Sequence, residues 1–463
     1  MKIALVVAPA FFKRCPLVGV AYLYSYLRSK GHEPCVFDLN IIMEVPYEGR
    51  EDYWGDILFV RKFALNKSNL LESLADKILE SGAEIIGFSV WVTTKYISLA
   101  LARIIKQKDK NRLIVFGGPE CSFSGQELIA NDDVDIVVCG EGEETLSEIV
   151  ELYGKYKKVG FCLGCLIKDN NNIIDCGTRE EIKDLNSLPF PDFSGFTLDK
   201  YYLANNLPIT FYRGCLRRCV FCNTVLTWRR FRSRTAENIY NEMKHKKHLY
   251  PGLEKFEVDD TALNLDLKMI SRLCELIIGG GLRVSWGGSA IIDPDMVAGL
   301  LRKMAFAGCT SMAFGLESGS QRVIDKMKKA FKIEDAERVI RATYEAGINV
   351  EINIIIGFPN EGEREFRETI DFIERNKNYI SFVSLPPSEC WIGNQTYVNT
   401  NPREFNVELN SQGPHLWKTI DGLNTHEVRK NRIKIFNDLI GSFGLRFHNY
   451  ATFVASEKEI DTI

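Results

Sequence analysis

The stretch Arg213-Gly214-Cys215-Leu216-Arg217-Arg218-Cys219-Val220-Phe221-Cys222-Asn223 limits what this chain can fold into more than any other. Its three thiols, at C-x3-C-x2-C spacing, can wrap one metal centre from a single loop, and thiolates are the ligands that iron–sulfur clusters take. A cubic four-iron cluster needs four ligands. Three cysteines leave one iron open, and the loop offers no fourth ligand of the right kind. The competing readings are half of a zinc knuckle or thiols that are merely buried. Zinc requires a fourth soft ligand, and the next cysteines downstream, Cys274 and Cys309, stand alone in helical or helix-end contexts. Spacing and context together favour the cluster. Ile209–Tyr212 reads as the strand that delivers this loop and Ala236–His245 as the helix behind it.

Ahead of the loop, strand-like and helical apolar runs alternate, the pattern of a parallel sheet. Lys2–Val7, Cys35–Asp38, Glu84–Ser89, Leu113–Gly117 and Ile136–Cys139 read as strands, Gly19–Lys30 and Glu144–Tyr153 as helices, and residues 44–66 as an irregular insertion. In such sheets ligands bind beyond the carboxyl ends of the strands. The turns there run from Pro9 to Gly19, through Ser89-Val90-Trp91-Val92-Thr93, Gly117-Gly118-Pro119 and Cys139-Gly140-Glu141-Gly142-Glu143. Their glycines permit close approach of a flat ligand to the backbone, and Ser89 and Thr93 offer hydroxyls. Residues 1–155 therefore read as one α/β domain of Rossmann or flavodoxin-like type. Residues 156–205 read as a connector, with a hairpin turn at Lys168–Asn171 and a proline-stiffened linker at Leu188–Phe193. Cys162 and Cys165 form a C-x2-C pair without a partner pair and read as structural.

From residue 206 to 395 the alternation resumes, and repeated strand–helix units suggest a partial (β/α)6 barrel with its chemistry at the carboxyl ends of the strands. Asp259 and Asp260, the loop Gly315-Leu316-Glu317-Ser318-Gly319-Ser320, and Gly357-Phe358-Pro359 all lie at such ends. Asp259 and Asp260 read about equally as ligand groups or as partners of Arg213 or Arg234. Residues 396–463 form a mixed C-terminal region with an amphipathic helix at Glu427–Phe443.

Composition excludes some functions. A net charge of −3 over 463 residues gives no global attraction for nucleic acid, although seven arginines between Arg213 and Arg234 crowd the cysteine loop. Offsetting a cluster's charge is the plainer use for them. Thirteen scattered cysteines do not make a disulfide framework, which fits a reducing compartment. No stretch approaches the length that spans a bilayer, so a cytoplasmic location is expected.

These motifs, in this order, resemble the radical S-adenosylmethionine (SAM) enzymes that carry a cobalamin-binding domain in front. The resemblance covers the turns of residues 1–155 and, in the second half, Cys215–Cys222, Val258-Asp259-Asp260, Gly315–Ser320 and Ile356–Pro359. It implies that Cys215, Cys219 and Cys222 hold a [4Fe-4S] cluster whose open iron chelates SAM, and that electron transfer releases a 5′-deoxyadenosyl radical. It implies also that Phe221, Gly357 and Phe358 lie beside the SAM adenine, while Glu317 and Ser318, with Asp259 and Asp260, serve its polar parts. Gly19, Ser89, Val90, Thr93, Gly117, Gly118, Pro119, Glu141, Gly142 and Glu143 are the cobalamin contacts it implies. One departure stands out: the Asp-x-His-x-x-Gly motif that gives cobalt a histidine is absent, with Asn40 at the nearest formal match, so no protein imidazole is expected on the metal. The activity implied is methylation of an unactivated carbon in a small-molecule, lipid or peptide substrate, with an electron donor such as flavodoxin or ferredoxin. The alternatives are a radical cyclase or carbon-coupling enzyme, in which cobalamin has another role or none, and a non-catalytic corrin or SAM sensor.

Overall fold

The computed structural model describes residues 1–9, 13–43, 57–66, 68–170, 172–384, 388–411 and 413–448. They form two compact units, Met1–Pro208 and Ile209 onward.

The first unit is built on five parallel strands, β1 (Lys2–Val7), β2 (Glu33–Asp38), β3 (Ile85–Ser89), β4 (Leu113–Gly117) and β5 (Ile136–Val138), in the order β2-β1-β3-β4-β5. Successive side chains of a strand point to opposite faces, and β1 uses both. Ile3, Leu5 and Val7 enter one core with Val20 and Leu27 of the helix Val18–Ser29 and Ile149 of the helix Gly142–Tyr156. Ala4, Val6 and Ala8 enter the other with Leu71, Ile97, Leu101 and Leu128. Burial on both faces is why the strand reads as a continuous apolar run, as central parallel strands do. The turns at the carboxyl ends of β1, β3, β4 and β5 thus lie along one edge.

Two expectations differ from what is found. The stretch 156–205 is not only a connector, because β6 (Cys165–Asp169) and β7 (Asn172–Asp175) extend the sheet antiparallel from β5. A bare edge at β5 would leave a row of backbone groups unpaired, and the hairpin supplies their partners. Within the expected insertion 44–66, Ile57–Asn66 is a helix whose Val60 and Phe63 enter the core, while residues 44–56 lie outside the described residues. Cys162 and Cys165 are both buried, and the Arg179 guanidinium lies 3.6 Å from the Cys162 sulfur.

In the second unit β8 (Asn206–Ile209) leads to a short antiparallel pair, β9 (Tyr212–Arg213) and β10 (Arg232–Ser233), whose ends bracket the cysteine loop. The main sheet then runs β8, β11 (Lys255–Val258), β12 (Ser285–Ala290), β13 (Cys309–Glu317), β14 (Asn349–Ile356) and β15 (Phe382–Ser384). Its pairings from β11 to β15 are all parallel. The helices Leu267–Gly279, Ala298–Phe306, Ile333–Glu345 and Glu363–Asn376 connect them, so this is an open β/α array of partial-barrel type. The helix behind the cysteine loop, Ala236–Leu249, starts where the Thr235 hydroxyl accepts the Asn238 N–H at 3.2 Å, the usual N-cap. The C-terminal region is less separate than expected, for Arg446–His448 adds a parallel strand beside β15. Among the described residues no helix is long and apolar enough to cross a membrane.

Candidate active site

The cysteine loop is pinned before it begins. Asp260, just past the end of β11, accepts the backbone N–H groups of Phe211 at 2.6 Å and Tyr212 at 3.2 Å. Burial pushes the Asp260 carboxyl well above its ordinary range. Gly214 then turns with φ +87°, and a Cβ there would lie 2.5 Å from the Arg230 carbonyl oxygen, so both conformation and space demand glycine. The Thr261 hydroxyl donates to the Gly214 carbonyl at 3.2 Å. Asp259 is exposed, and its N–H pairs with the Ile209 carbonyl. Of the crowded arginines, Arg234 is buried against Glu242 at 2.6 Å and Arg217 reaches Asp293 at 3.4 Å. Those two are structural in use.

Cys215, Cys219 and Cys222 are half-buried on this loop. The Cys222 N–H closes a turn onto the Cys219 carbonyl at 3.1 Å. Backbone N–H groups of Arg217 and Thr224 point at the sulfurs of Cys215 and Cys222, at 3.4 and 3.5 Å. Burial pushes the Cys219 thiol up to about 11, with the charge of Lys329 pulling the other way. Among the described residues no three His, Cys, Asp or Glu side chains stand in metal-binding geometry. The donor set nonetheless fits an iron–sulfur cluster, since amide donors to sulfur stabilise thiolate ligands.

Facing the loop is the end of β13. The β13–β14 register shifts between Gly315 and Glu317, and Glu317 has φ +69°, rare for a residue with a side chain. Its carboxylate is buried and bonded to Lys329 Nζ at 2.9 Å, and that ammonium lies 5.7 Å from the Phe221 ring centroid. Ser318 is wholly buried. Its hydroxyl is shared with Thr369 at 3.1 Å and with the Ser320 N–H at 3.1 Å, which braces the turn.

The Phe221 ring meets Phe358 edge-on at 6.4 Å, in the loop that ends β14. The Gly357 N–H donates to Glu361 at 2.8 Å, and Asn424 Nδ2 donates to the Gly357 and Phe358 carbonyls at 3.1 and 3.3 Å. Sequence reasoning missed Lys329, Asn424 and Glu361. A lysine in a lysine-rich run and an asparagine in a distant loop carry no local signal.

Glu361 yields a prediction. Burial raises its carboxyl from 4.5 to about 7, despite the opposing charge of Arg432. The folded state therefore holds this proton more tightly than the unfolded chain. Its contribution is full below pH 4.5 and is lost as pH rises through about 7. The loss amounts to about 3 kcal/mol at the upper end. Urea denaturation at pH 5 and pH 8 should show this fall in the wild type and a flatter response in Glu361→Gln. Equal slopes in the two proteins would refute it.

In the first unit the turns after β3 and β4 touch through their backbones. Gly118 has φ +103°, and a Cβ there would lie 2.8 Å from the Val90 carbonyl oxygen. The Val90 N–H donates to the Gly117 carbonyl at 2.7 Å, and the Glu120 N–H to the Val90 carbonyl at 3.2 Å. Ser89 and Thr93 are half-buried beside them, and Pro119 opens the next helix. In the turn after β5, Glu143 is buried and Glu141 accepts the Ile182 N–H at 2.7 Å. Gly142 lies against Leu23. Gly19 sits exposed within the first helix. Asn40 is buried, its amide donating to Asp38 at 2.8 Å and to the Ala8 carbonyl at 3.5 Å. An edge of bare backbone and small residues fits a flat macrocycle laid across the strand ends.

Comparison with known proteins agrees with both halves. The model of the B12 binding domain matches residues 6–150, and that of the radical SAM superfamily matches residues 209–373. An uncharacterized methyltransferase of Pyrococcus horikoshii is 27% identical over 426 residues, covering 88% of this chain and 86% of that protein. An anaerobic magnesium-protoporphyrin IX monomethyl ester cyclase of Cereibacter sphaeroides is 26% identical over 64% of this chain, which spans 50% of that relative's length. Among solved structures, the radical SAM methyltransferase TsrM of Kitasatospora setae, with cobalamin and a [4Fe-4S] cluster bound, has a TM-score of 0.67 at 15% identity, covering 89% of this chain and 78% of that one. The chain carries a radical SAM domain behind a B12-binding domain, and over most of its length it is similar to an uncharacterized methyltransferase. Its radical SAM domain implies a [4Fe-4S] cluster and SAM as cofactors, and its B12-binding domain implies cobalamin.

Proposed function

We propose that this protein is a methyltransferase that acts on an unactivated carbon of a small-molecule, lipid or peptide substrate. The observation that carries the reading is the loop Cys215–Cys222, with amide donors on two of its three sulfurs and the Glu317–Lys329 pair and Phe221–Phe358 beside it. Cys215, Cys219 and Cys222 would hold three irons of the cluster. Phe221 and the Gly357–Phe358 backbone would meet adenine, and Glu317 a polar part of SAM. The turns with Ser89, Val90, Thr93, Gly117–Pro119 and Glu141–Glu143 would lie against the corrin. When bound, these groups supply the electron that cleaves SAM to a 5′-deoxyadenosyl radical and the methyl group that is transferred.

The protein's own part is placement. Asp260 and Gly214 aim the thiols, the Ser318–Thr369 bond fixes the turn after Glu317, and Asn424 with Glu361 holds the Gly357–Phe358 backbone. Hydrogen-atom abstraction needs position and the exclusion of water more than an acid and a base. Phe358 and Phe405, both buried and packed edge-on at 6.1 Å, keep that side dry. A soluble one-electron donor such as flavodoxin or ferredoxin would meet the electron demand.

Anaerobic reconstitution with iron, sulfide and hydroxocobalamin, followed by desalting and metal analysis, tests the reading. About four irons and about one cobalt per chain are expected. Incubation with SAM and a reductant should then yield 5′-deoxyadenosine. Iron without cobalt would sink methyl transfer from cobalamin, and both metals without 5′-deoxyadenosine would leave a sensor. The similarity to the cyclase supports a second reading, ring formation without methyl transfer. Label from methyl-labelled SAM appearing in a product separates the two.

A further inference from the structure

We propose that Lys329 is a positioning residue of the radical site: its ammonium fixes the direction of the Glu317 carboxylate and places a positive charge beside the cysteine loop. The inference rests on the reading of the cluster and SAM site given above, and assigns a role to a residue to which that reading gives none.

Departures from ordinary backbone meet at this pair. Lys328 is the left-handed cap that ends the helix Gln321–Met327, and Ala330, on the other side of Lys329, is left-handed with φ of 56°. Glu317 is left-handed too, at a break in the β13–β14 register. At Gly315 a Cβ would stand 2.7 Å from Glu317 Oε1 and 3.1 Å from Lys329 Nζ, so the strand is stripped bare to let the two side chains meet. Away from helix ends, left-handed non-glycine residues are costly and persist where the surroundings over-determine them. An ordinary exposed ion pair would not repay that.

The pair is also buried. The Lys329 and Glu317 side chains are 9% and 12% exposed, a setting lysine rarely accepts without a partner. Its position is tied to the loop by backbone as well as by charge, because the Val220 N–H donates to the Met327 carbonyl at 3.2 Å. The ammonium lies over Phe221, one of the two residues between Cys219 and Cys222. A fixed cation there opposes the negative charge that thiolates and an added electron bring, which makes reduction easier. It also leaves the carboxylate with one direction to point, which is what a SAM group would meet.

The test uses the full chain, reconstituted anaerobically, as wild type, Lys329→Gln and Lys329→Arg. Iron content, SAM affinity by equilibrium dialysis with labelled SAM, and the cluster midpoint potential by EPR-monitored titration are read separately. Lys329→Gln should keep its iron, bind SAM about tenfold or more weakly for want of a charge-assisted bond, and shift the potential to more negative values. Lys329→Arg should restore most of both. If Lys329→Gln does not fold, Lys329→Met, which keeps the apolar stem and buries no polar head, carries the same expectations. Wild-type affinity and potential in a folded neutral variant would overturn the proposal, leaving a structural salt bridge. Wild-type protein that takes up iron yet binds no SAM would overturn the reading of the site itself, and the proposal with it.

Discussion

Cys219→Ser should abolish 5′-deoxyadenosine formation and strip most of the iron from reconstituted protein. Serine is a hard, weakly acidic oxygen donor where iron prefers thiolate. Burial works against ionisation of the Cys219 thiol, and a bound metal would offset that. The fold should survive, since the loop lies beyond the sheet and its entry is held independently by Asp260 and by the β9–β10 pair. Far-ultraviolet circular dichroism should match the wild type while the visible charge-transfer absorption disappears. A serine variant that still cleaves SAM at the wild-type rate would dismiss Cys219 as a ligand.

The second large effect lies in the C-terminal region. Arg429 is fully buried, and each of its three guanidinium nitrogens has a partner: Nε donates to Glu389 at 2.7 Å, Nη1 to Asn424 at 3.2 Å, and Nη2 to the His415 and Trp417 carbonyls at 2.6 and 2.9 Å. Its guanidinium also stacks 3.9 Å from the Trp417 ring centroid. Arg429→Ala removes the cation and leaves the Glu389 side chain, 11% exposed, with His426 at 2.8 Å to meet it among the described residues. Breaking a buried ion pair from one side costs about 3–5 kcal/mol. The urea midpoint should fall by that equivalent at unchanged slope. Asn424, freed on one side, also holds the Gly357–Phe358 carbonyls, so SAM affinity should weaken in the same variant. A loss of less than about 1 kcal/mol would show that the region repacks without it.

Much of this was legible in the sequence where interactions are local. Lys2–Val7 and Leu113–Gly117 are strands with the expected ends, because uninterrupted apolar runs between turn residues leave little else for the backbone to do. The cysteine loop announces itself by spacing. What the sequence hides depends on distant partners. Cys165–Asp169 becomes a sheet strand only because β5 offers an edge, and Arg446–His448 only because β15 does. Ile57–Asn66 was obscured by the charged, aromatic stretch before it. At the site, Asp260 reads from sequence either as a ligand group or as a partner of Arg213 or Arg234, and the two backbone N–H groups that its carboxylate accepts carry no sequence signal. Lys329 and Arg429 are two cations among many along the chain. Only the folded neighbourhood distinguishes them from solvated ones.

The parallel strand Arg446–His448, last to join the second sheet, also sets a clock. The cysteine loop leaves the ribosome about 220 residues earlier, so at about 5–20 residues per second its thiols precede the last strand of this sheet by roughly 10–45 s. For that interval the nascent chain presents three open sulfurs on an unfinished sheet. Iron delivery during synthesis and oxygen damage during synthesis therefore compete for the same unguarded loop. Yield of intact enzyme from cells should follow the oxygen present while the chain is being made, more than the oxygen it meets afterwards.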